Sequence, residues 1–395
     1  MKLFLVETLG DGGIAHYTYN LASALAKRGL DVVLCTNRKY EFSDVYCTFK
    51  VHRHMFLLAH CLIKFLPFFD RETGFESFLR RLTKLIEYPF TTLAAILIAR
   101  REKADIVHMQ SVNETELLMI MALRITGFKV VFTVHNVMPR HGSLRCYHSI
   151  IYRLMYIMCN HIIIHSQSGK NDIVNLFGIM PGKISVIPHG DYKFFLPDVI
   201  VNKAEAKASV ELPGTCRTIL FFGAIRANKG LDTMLFALAN IKKDLPDIRL
   251  MIVGELCEDY NRYKNIIENK NIQNEVFEVL EYIPNEQVGN YFSASDIVVL
   301  PYHAVTQSGV LQIAYAFRKP VVATEVGGFN EAVENGKNGY LVPPGNVKAL
   351  SEKIVDILTD EKKMERMGHY SRWLCDSKYS WDSIARRTIE VYSDI

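Results

Sequence analysis

The pattern that most constrains the fold is a repeated alternation of short β-branched runs with helical apolar patterns. The run Lys2–Val6 predicts a buried strand, and apolar side chains at Ile14, Tyr17, Leu21 and Leu25 predict the amphipathic helix that follows it. Strands and helices that alternate in this way are typical of parallel α/β sheets. The further strands predicted in the first half are Val32–Cys35, Ile106–Met109, Val130–Val134, Ile162–Ile164 and Ile184–Ile187.

The alternation stops over residues 191–217, where Pro197, Pro213 and Gly214 flank a polar segment. This break predicts a linker, because proline, glycine and polar residues interrupt regular structure. A second alternating unit begins at Thr218. Since 395 residues exceed what one core usually supports, we expect an α/β protein of two Rossmann-like domains that face each other across a cleft. Ligands of such sheets bind beyond the carboxyl ends of the strands.

Composition narrows the class of protein. Hydrophobic residues make up 49% of the chain and charged residues 22%, a composition typical of globular proteins. The net charge of +4 comes without a basic stripe, so nucleic acid is not an expected partner. Eight cysteines without a C-x-x-C pair indicate reduced thiols of a cytosolic protein. Met1–Val6 is too short an apolar run for a signal peptide, and neither Met55–Phe69 nor Tyr88–Ala99 is long enough, without interruption, to predict a transmembrane helix.

Residues 52–103 fit the alternation least well. They carry helical apolar patterns together with basic residues at Arg80, Arg81, Lys84, Arg100 and Arg101. One interpretation is a helical excursion that packs on the sheet. The other is an interfacial surface that docks a membrane or a lipid-linked acceptor.

The turn Arg226-Ala227-Asn228-Lys229-Gly230 joins a predicted strand that ends at Gly223 to a helix that begins near Leu231. It therefore places a guanidinium and an ammonium at the ligand-binding end of the sheet. A departing nucleoside diphosphate develops negative charge on its oxygens, and fixed cations stabilise that charge without a metal. The alternative is a solvated basic loop.

Two further segments predict helix starts that can bind anions. Ser308, Gly309 and Val310 precede a predicted helix Leu311–Phe317, and Gly12-Gly13 precedes the first helix. Backbone N–H groups at such starts can point at a phosphate, although each is also an ordinary helix cap. The G-x-G-x-x-G fingerprint is incomplete at Gly12-Gly13, which disfavours a nicotinamide site.

Histidines follow predicted strand ends or glycine turns at five places: His16, His108, His135, His165 and His189. Their clustering at the expected cleft favours function, although a single histidine there is more often structural. The chain has no D-x-D pair, so we expect no metal or other cofactor beside the co-substrate.

These residues together resemble family 4 of the retaining glycosyltransferases with the GT-B fold. The similar segments, in order, are Gly12-Gly13-Ile14-Ala15-His16-Tyr17, Thr133-Val134-His135-Asn136, Val186-Ile187-Pro188-His189-Gly190, Arg226-x-x-Lys229-Gly230, Gly327-Gly328-x-x-Glu331 and Asn338–Pro344. The resemblance implies an acceptor-side domain at 1–193, a donor-binding domain at 194–375 and a C-terminal helix at 376–395 that crosses back to the first domain.

The resemblance also implies roles for individual residues. Arg226 and Lys229 would hold and stabilise the donor diphosphate, helped by Gly12, Gly13 and the amides of residues 308–310. His135 would lie near the donor sugar, and His16 and His108 would lie on the acceptor side.

One departure from the family pattern concerns its two glutamates, eight residues apart. Val305 and Ile313 occupy those places here, as in a sub-branch with a T-Q-S-G-V segment. Glu255 or Glu331 would then serve the ribose.

We therefore expect retaining transfer of a hexose-type sugar from a UDP- or GDP-sugar to a glycan acceptor. A polyprenyl-diphosphate-linked acceptor and a peripheral site on the cytoplasmic membrane face would suit residues 52–103. Two alternatives stay open: a GT-B epimerase of sugar nucleotides, and a catalytically silent partner that binds them.

Overall fold

A computed structural model of the protein describes residues 1–56, 74–111, 114–137, 146–197 and 202–395. The chain forms two compact units. The first unit comprises Met1–Gly190 and Trp381–Ile395, and the second comprises Asp191–Ser380. The boundaries expected from the sequence, after 193 and 375, lie close to these two crossings.

Seven parallel strands form the sheet of the first unit: β1 (Lys2–Glu7), β2 (Asp31–Asn37), β3 (Lys50–Met55), β4 (Ile106–Ser111), β5 (Lys129–Val134), β6 (His161–Ile164) and β7 (Ile184–Val186). Their order is β3-β2-β1-β4-β5-β6-β7. The chain therefore builds outward from β1 on one side and then returns to β4 on the other. The central strands are buried along nearly their whole length because helices cover both faces.

The helices before residue 190 that belong to the described residues are α1 (Gly12–Lys27), α2 (Gly74–Arg101), α3 (Glu116–Ile125), α4 (Cys146–Met158) and α5 (Gln167–Phe177). Their ends follow local rules. In α5, Ser166 Oγ accepts a hydrogen bond of 3.1 Å from Gly169 N at the start. Gly178 ends the same helix in the left-handed region, at a φ of 65°, which glycine adopts without a steric penalty.

Six parallel strands form the sheet of the second unit: β8 (Arg217–Phe222), β9 (Ile248–Val253), β10 (Val276–Val279), β11 (Ile297–Leu300), β12 (Val321–Thr324) and β13 (Gly339–Val342). Their order, β10-β9-β8-β11-β12-β13, repeats the reversal of the first sheet. The helices around them are α6 (Lys203–Ser209), α7 (Leu231–Asp244), α8 (Asn261–Asn269), α9 (Asn285–Ala294), α10 (Gly309–Ala316), α11 (Phe329–Ala332), α12 (Val347–Leu358) and α13 (Glu361–Asp376).

The last helix, α14 (Trp381–Ser393), packs against α1 in the first unit. The Arg28 guanidinium donates two hydrogen bonds, of 2.9 and 2.7 Å, to the Asp382 carboxylate. The Trp381 ring lies so close to Gly190 that a Cβ there would be 2.4 Å from it. Glycine is therefore required at position 190, where the chain leaves the first unit. When the chain returns to that unit, the Trp381 indole packs directly on the Gly190 backbone.

The structure differs from the sequence-based expectations at three places. Residues 52–103 are not wholly helical, since β3 precedes α2; residues 57–73 lie outside the described part of the chain. The expected linker contains the short helix α6. Asn202 and Glu205 cap the start of this helix with reciprocal side-chain hydrogen bonds. Helix α10 begins at Gly309, two residues before the expected Leu311. Within the described ranges, no helix combines the length and the apolar character needed to cross a bilayer.

Candidate active site

The second unit offers a ligand site where its strand order reverses. The loops after β8 and β11 leave neighbouring strands at the same edge of the sheet, and the connections on the two sides of this point run in opposite directions. Such a reversal leaves a crevice beyond the carboxyl ends of the strands.

Two glycines bring the loops after β8 and β9 into backbone contact. Gly223 has a φ of 105° and Gly254 a φ of 143°, both in the region that favours glycine. A Cβ at Gly254 would lie 2.3 Å from the Gly223 carbonyl oxygen. The two strand ends therefore meet without side chains between them.

The basic turn begins three residues after Gly223. Arg226 is extended, residues Ala227–Lys229 form a single 3-10 turn, and Gly230 has a φ of 69°. A Cβ at Gly230 would lie 2.0 Å from the Pro301 carbonyl oxygen in the loop after β11. Gly230 therefore presses the turn directly against the neighbouring loop.

Arg226 and Lys229 are half-buried cations. Within the described residues, neither has a carboxylate oxygen within the 4 Å of an ion pair. The Lys229 ammonium lies 3.7 Å from the centroid of the Tyr302 ring. The Glu258 carboxylate lies at the same turn, where it accepts a hydrogen bond of 2.6 Å from the backbone N–H of Ala227. The turn therefore presents two cationic side chains that form no ion pair with a described carboxylate.

Helix α10 begins beside this turn. A Cβ at Gly223 would touch Val310 Cγ2 at 3.5 Å, which places the first turn of α10 against the end of β8. Ser308 is the N-cap residue, but its Oγ accepts no capping hydrogen bond and is buried without a partner. The first turn also contains no acidic residue. The backbone N–H groups of a helix start, an unpartnered hydroxyl and the two cations thus lie at one edge of the second unit.

In the first unit, the corresponding loop after β1 is held by Glu7. Its carboxylate accepts hydrogen bonds from the backbone N–H groups of Leu9, at 2.6 Å, and Gly10, at 2.9 Å, and from Thr36 Oγ1 at 2.9 Å. Burial raises the pKa of Glu7 to about 7, although these three hydrogen bonds oppose the shift. The buried Glu7 carboxyl group thus fixes the backbone of the loop after β1 at Leu9 and Gly10.

The start of α1 is occupied by Glu41. The Gly12 N–H donates a hydrogen bond of 3.0 Å to Glu41 Oε2, and His16 Nε2 lies 3.1 Å from Glu41 Oε1. Gly12 and Gly13 are exposed. A side-chain anion therefore already lies at the helix start where the sequence predicts a phosphate.

Three of the sequence-predicted histidines meet around the buried Tyr17 ring. The rings of His135, His165 and His189 lie 4.9, 5.1 and 5.0 Å from it. His135 Nδ1 lies 3.2 Å from His165 Nε2, and His135 Nε2 lies 3.1 Å from Gln110 Oε1. The fold thus holds the predicted catalytic imidazole by both of its nitrogens.

Two family models match the chain, one on each unit. The model described as "Glycosyltransferase Family 4" matches residues 11–190, and the model described as "Glycosyl transferases group 1" matches residues 202–374. Together they cover most of the chain. The chain belongs to the family 4, group 1 glycosyltransferases.

Individual relatives of this family agree with that assignment. A D-inositol 3-phosphate glycosyltransferase of Corynebacterium urealyticum is 26% identical over 59% of this chain and 56% of its own length. The chain spans about half the length of the first curated relatives that it matches. Sucrose-phosphate synthase from Thermosynechococcus elongatus superposes with a TM-score of 0.76, at 21% identity over 100% of this chain and 98% of the other. Anabaena Alr3699/HepE, solved with UDP-glucose, gives 0.76 at 17% identity over 100% of both chains. The GT-B fold expected from the sequence is confirmed.

Two other predicted residues of this glycosyltransferase family member are the acids assigned to the ribose. Glu255 is exposed just after Gly254, and its backbone carbonyl accepts a hydrogen bond of 2.8 Å from Ile225 N. Glu331 is exposed in the short helix α11. Their assignment to the ribose stays a prediction.

His108 has a structural task in the same protein. It is completely buried, with Nδ1 2.6 Å from the hydroxyl of Tyr392 in α14 and Nε2 2.7 Å from Thr133 Oγ1. Burial lowers the pKa of His108 to about 3, so the ring is neutral. This position fastens the last helix to the sheet and gives an acceptor no access to the ring.

Sequence reasoning missed Glu41, Tyr302 and Gln312. Tyr302 Oη and Gln312 Oε1 are buried atoms without a hydrogen-bond partner in the described chain, like Ser308 Oγ. Gln312 lies in the first turn of α10. The sequence could have indicated it, because a polar glutamine follows directly on the small residues that begin this helix. The contacts of Glu41 and Tyr302 cross between loops, and no local pattern reveals them.

Two expectations concern cysteines and metals. The cysteines at positions 35, 47, 159, 216, 257 and 375 are unpaired. Among the described residues, no three His, Cys, Asp or Glu side chains are placed to hold a metal ion. Chemistry without a metal stays a prediction.

Proposed function

We propose that this protein transfers a hexose-type sugar from a UDP- or GDP-sugar to a glycan acceptor, with retention of the anomeric configuration. The observation that carries the proposal is the pair Arg226 and Lys229, two cations without a carboxylate partner in the described chain, beside the acid-free start of α10. The segment at 306–310 would make it a member of the branch that lacks the acidic pair.

The chemistry follows from where negative charge appears. When the bond between the sugar and the diphosphate breaks, charge develops on the leaving oxygens. Arg226, Lys229 and the N–H groups of residues 308–310 would stabilise it without moving, since the fold fixes them in advance. Each charge-assisted hydrogen bond is worth about 1.5–3 kcal/mol. His135 of the first unit would contact the donor sugar, a role that rests on the family resemblance.

Related proteins support a nucleotide sugar as donor. The Anabaena Alr3699/HepE structures contain UDP or UDP-glucose. A relative from Mycolicibacterium hassiacum, 25% identical over 76% of this chain, is named as an MMP alpha-(1->4)-mannosyltransferase. We extend the class of ligand, and not the particular sugar or acceptor, to this chain.

The decisive experiment measures nucleotide binding and transfer by Arg226→Ala and Lys229→Ala proteins. Calorimetry with UDP-glucose and GDP-mannose first selects the donor. Each variant should then weaken binding about 10- to 100-fold, the equivalent of one lost charge-assisted contact. Lys264→Ala is the matched control, because Lys264 is an exposed lysine of α8 in the same unit. Near wild-type affinity and turnover in both variants would refute the diphosphate assignment.

A silent nucleotide-sugar-binding protein remains a second candidate, and one observation favours it. Ile313, at the place of one family glutamate, is buried in the core of the second unit. Tight donor binding without transfer to any of a panel of glycan acceptors would support that candidate. Conversion of a sugar nucleotide without any acceptor would instead identify the epimerase.

We also propose that the acceptor is lipid-linked and that the first unit contacts the membrane. Helix α2 exposes one continuous apolar face, whose residues recur at helical spacing: Leu82, Leu85, Ile86, Phe90, Leu93 and Leu97. Phe90 is 67% exposed and Ile86 61%. An apolar face of this length marks an interaction surface.

Helix α4 also exposes apolar residues, among them Ile150, Leu154 and Ile157. Helix α3 lies in contact with both α2 and α4. Basic side chains accompany these apolar residues: Arg153 on α4 and Arg100 and Arg101 at the end of α2 are all exposed. Apolar side chains bordered by arginine suit a bilayer surface with anionic lipids.

Flotation with liposomes tests this contact. The protein should float with vesicles that contain phosphatidylglycerol at low salt, and less with pure phosphatidylcholine. Phe90→Gln combined with Leu93→Gln should abolish flotation, whereas Tyr282→Gln, at an exposed apolar residue of the second unit, should not. Absence of flotation by the wild-type protein would refute the membrane contact. A wild-type dimer that becomes monomeric in the double variant would instead assign this apolar face to a second copy of the chain.

A further inference from the structure

We propose that His165 is a positioning residue: it accepts the Nδ1 proton of His135 and so leaves Nε2 as the one nitrogen of His135 whose protonation can change. This inference deepens the proposed glycosyl transfer and rests on it for its functional meaning. It is carried by the chain of contacts Ile187–His165–His135–Gln110.

The first step is fixed by a carbonyl group. His165 Nδ1 lies 2.9 Å from the Ile187 carbonyl oxygen, which can only accept a hydrogen bond. The proton on this side of the ring must therefore belong to His165 Nδ1. Ile187 lies just past β7, so the sheet itself sets the position of the acceptor.

The second step follows from the burial of His165. The ring is enclosed, with contacts to Tyr17 and to the neighbouring imidazole of His189. Burial lowers the pKa of His165 to about 3, helped by the nearby His189. A neutral imidazole carries one N–H, and Nδ1 already has it. His165 Nε2 thus presents a lone pair.

The third step places a proton on His135. Its Nδ1 is 3.2 Å from His165 Nε2, so the lone pair there requires a donor, and His135 Nδ1–H is that donor. The Tyr17 ring packs edge-on against His135 and resists rotation of the imidazole. The proton of His135 is therefore held on the Nδ1 side.

The last step concerns the opposite edge of His135. Its Nε2 lies 3.1 Å from Gln110 Oε1, and Gln110 Nε2 lies on the other side, 3.0 Å from His108 Nε2 and 3.3 Å from Thr133 Oγ1. If the amide turns over, its NH2 group faces His135 and its oxygen faces His108 Nε2, which then carries the proton of that neutral ring. Gln110 thus accepts from an imidazolium or donates to a neutral ring, and it accommodates both states of Nε2. Since a sugar hydroxyl can also donate or accept, Nε2 is the atom of His135 suited to contact the donor sugar.

Nitrogen-15 NMR of the full-length protein with labelled histidine tests the proton positions without any reaction. The two-bond couplings of His135, assigned by loss of its signals in His135→Asn, should show a protonated Nδ1. His165→Gln, which keeps an acceptor near the same position, should preserve that pattern, and His165→Phe should lose it. His161→Gln, a half-buried histidine bonded to Ser185, is the control that should change nothing.

Kinetics then separate positioning from general damage. With the preferred donor, His165→Phe should lower kcat about tenfold and change the donor KM less, and His165→Gln should restore most of the rate. A wild-type His135 protonated at Nε2 alone would overturn the proposal, and so would a Nδ1 pattern that His165→Phe leaves intact. If His165→Phe does not fold, the wild-type spectrum decides. A protonated Nδ1 in a protein without transferase activity would refute the proposed function and leave the positioning role standing.

Discussion

The ammonium group of Lys229 lies 3.7 Å from the centroid of the Tyr302 ring, and the Tyr302 hydroxyl is buried without a hydrogen-bond partner in the described chain. The negative face of an aromatic ring attracts a cation without removing its net charge. A carboxylate in the same place would hold the lysine equally well and would cancel its attraction for a phosphate. The tyrosine therefore orients Lys229 and leaves its charge available to an anionic ligand.

Substitutions at Tyr302 separate the ring from the hydroxyl. Tyr302→Leu removes the cation–π contact, worth about 0.5–2 kcal/mol, so the dissociation constant of the nucleotide sugar should rise about two- to thirtyfold. Tyr302→Phe keeps the ring and should stay within about threefold of the wild type. Calorimetry with the preferred donor measures both. A large loss in Tyr302→Phe would show that the hydroxyl, and not the ring, contacts the ligand.

Glu41 occupies the helix start that the sequence assigns to a phosphate. Glu41→Gln removes the negative charge beside Gly12 N and His16. Unfolding free energy should fall by about 0.3–1 kcal/mol, the usual worth of an anion at a helix start. Binding of nucleotide sugar should tighten, because the ligand no longer competes with a carboxylate. Weaker binding in Glu41→Gln would mean instead that Glu41 holds the loop in its binding conformation.

The sequence predicted those parts of the fold and site that have local causes. Tyr17 and Leu21 lie on the stripe expected for α1, and both are buried. The basic turn at Arg226 and the helix start at Ser308 were found because glycines and small residues punctuate strand ends. Strand β3 was missed because it is an edge strand with a half-exposed, histidine- and arginine-rich sequence, which gives no apolar run.

The remaining features depend on contacts between distant segments. The sequence placed His108 and His135 at two neighbouring strand ends. Strand β4 instead continues to Ser111, so His108 lies inside the sheet and contacts Tyr392, whereas His135 follows the end of β5. The length of β4 and the packing of α14 distinguish the two histidines. In the same way, the partner of Lys229 lies on the loop after another strand, and no periodicity along the chain connects the two.

The buried histidines predict acid-sensitive folding of the first unit. Burial lowers the pKa of His108 and His165 to about 3 and that of His189 to about 4. Below pH 6.5 the unfolded chain binds protons that the folded chain refuses, so stability is lost as pH falls from 6.5 toward 4. At pH 5 each of the three should cost about 2 kcal/mol relative to pH 7.5.

Tryptophan fluorescence can isolate this effect. Trp381 lies in the first unit against Tyr17, and Trp373 lies in the second. In a Trp373→Phe background, urea unfolding followed at pH 5 and 7.5 reports on the first unit. His189→Gln should weaken the pH dependence by about one proton. Equal unfolding free energies at the two pH values would contradict burial of neutral histidines.

The raised pKa of Glu7 should change the stability of the first unit with pH in the direction opposite to that of the buried histidines. Its pKa is raised to about 7 by burial, so between pH 4.5 and 7 the folded chain keeps a proton that the unfolded chain releases. Stability from this group therefore falls as pH rises through that window and is constant above it.

Glu7→Gln removes the opposing contribution, so the stability of the first unit should rise more steeply with pH, by up to about 1.4 kcal/mol per pH unit. The slope is the readout, because the amide also disturbs the hydrogen bonds from Leu9 and Gly10 and lowers stability at every pH. Glu390→Gln, at an exposed glutamate of α14, should leave the slope unchanged. An unchanged slope in Glu7→Gln would mean that the three donors keep the Glu7 carboxyl ionised throughout this range.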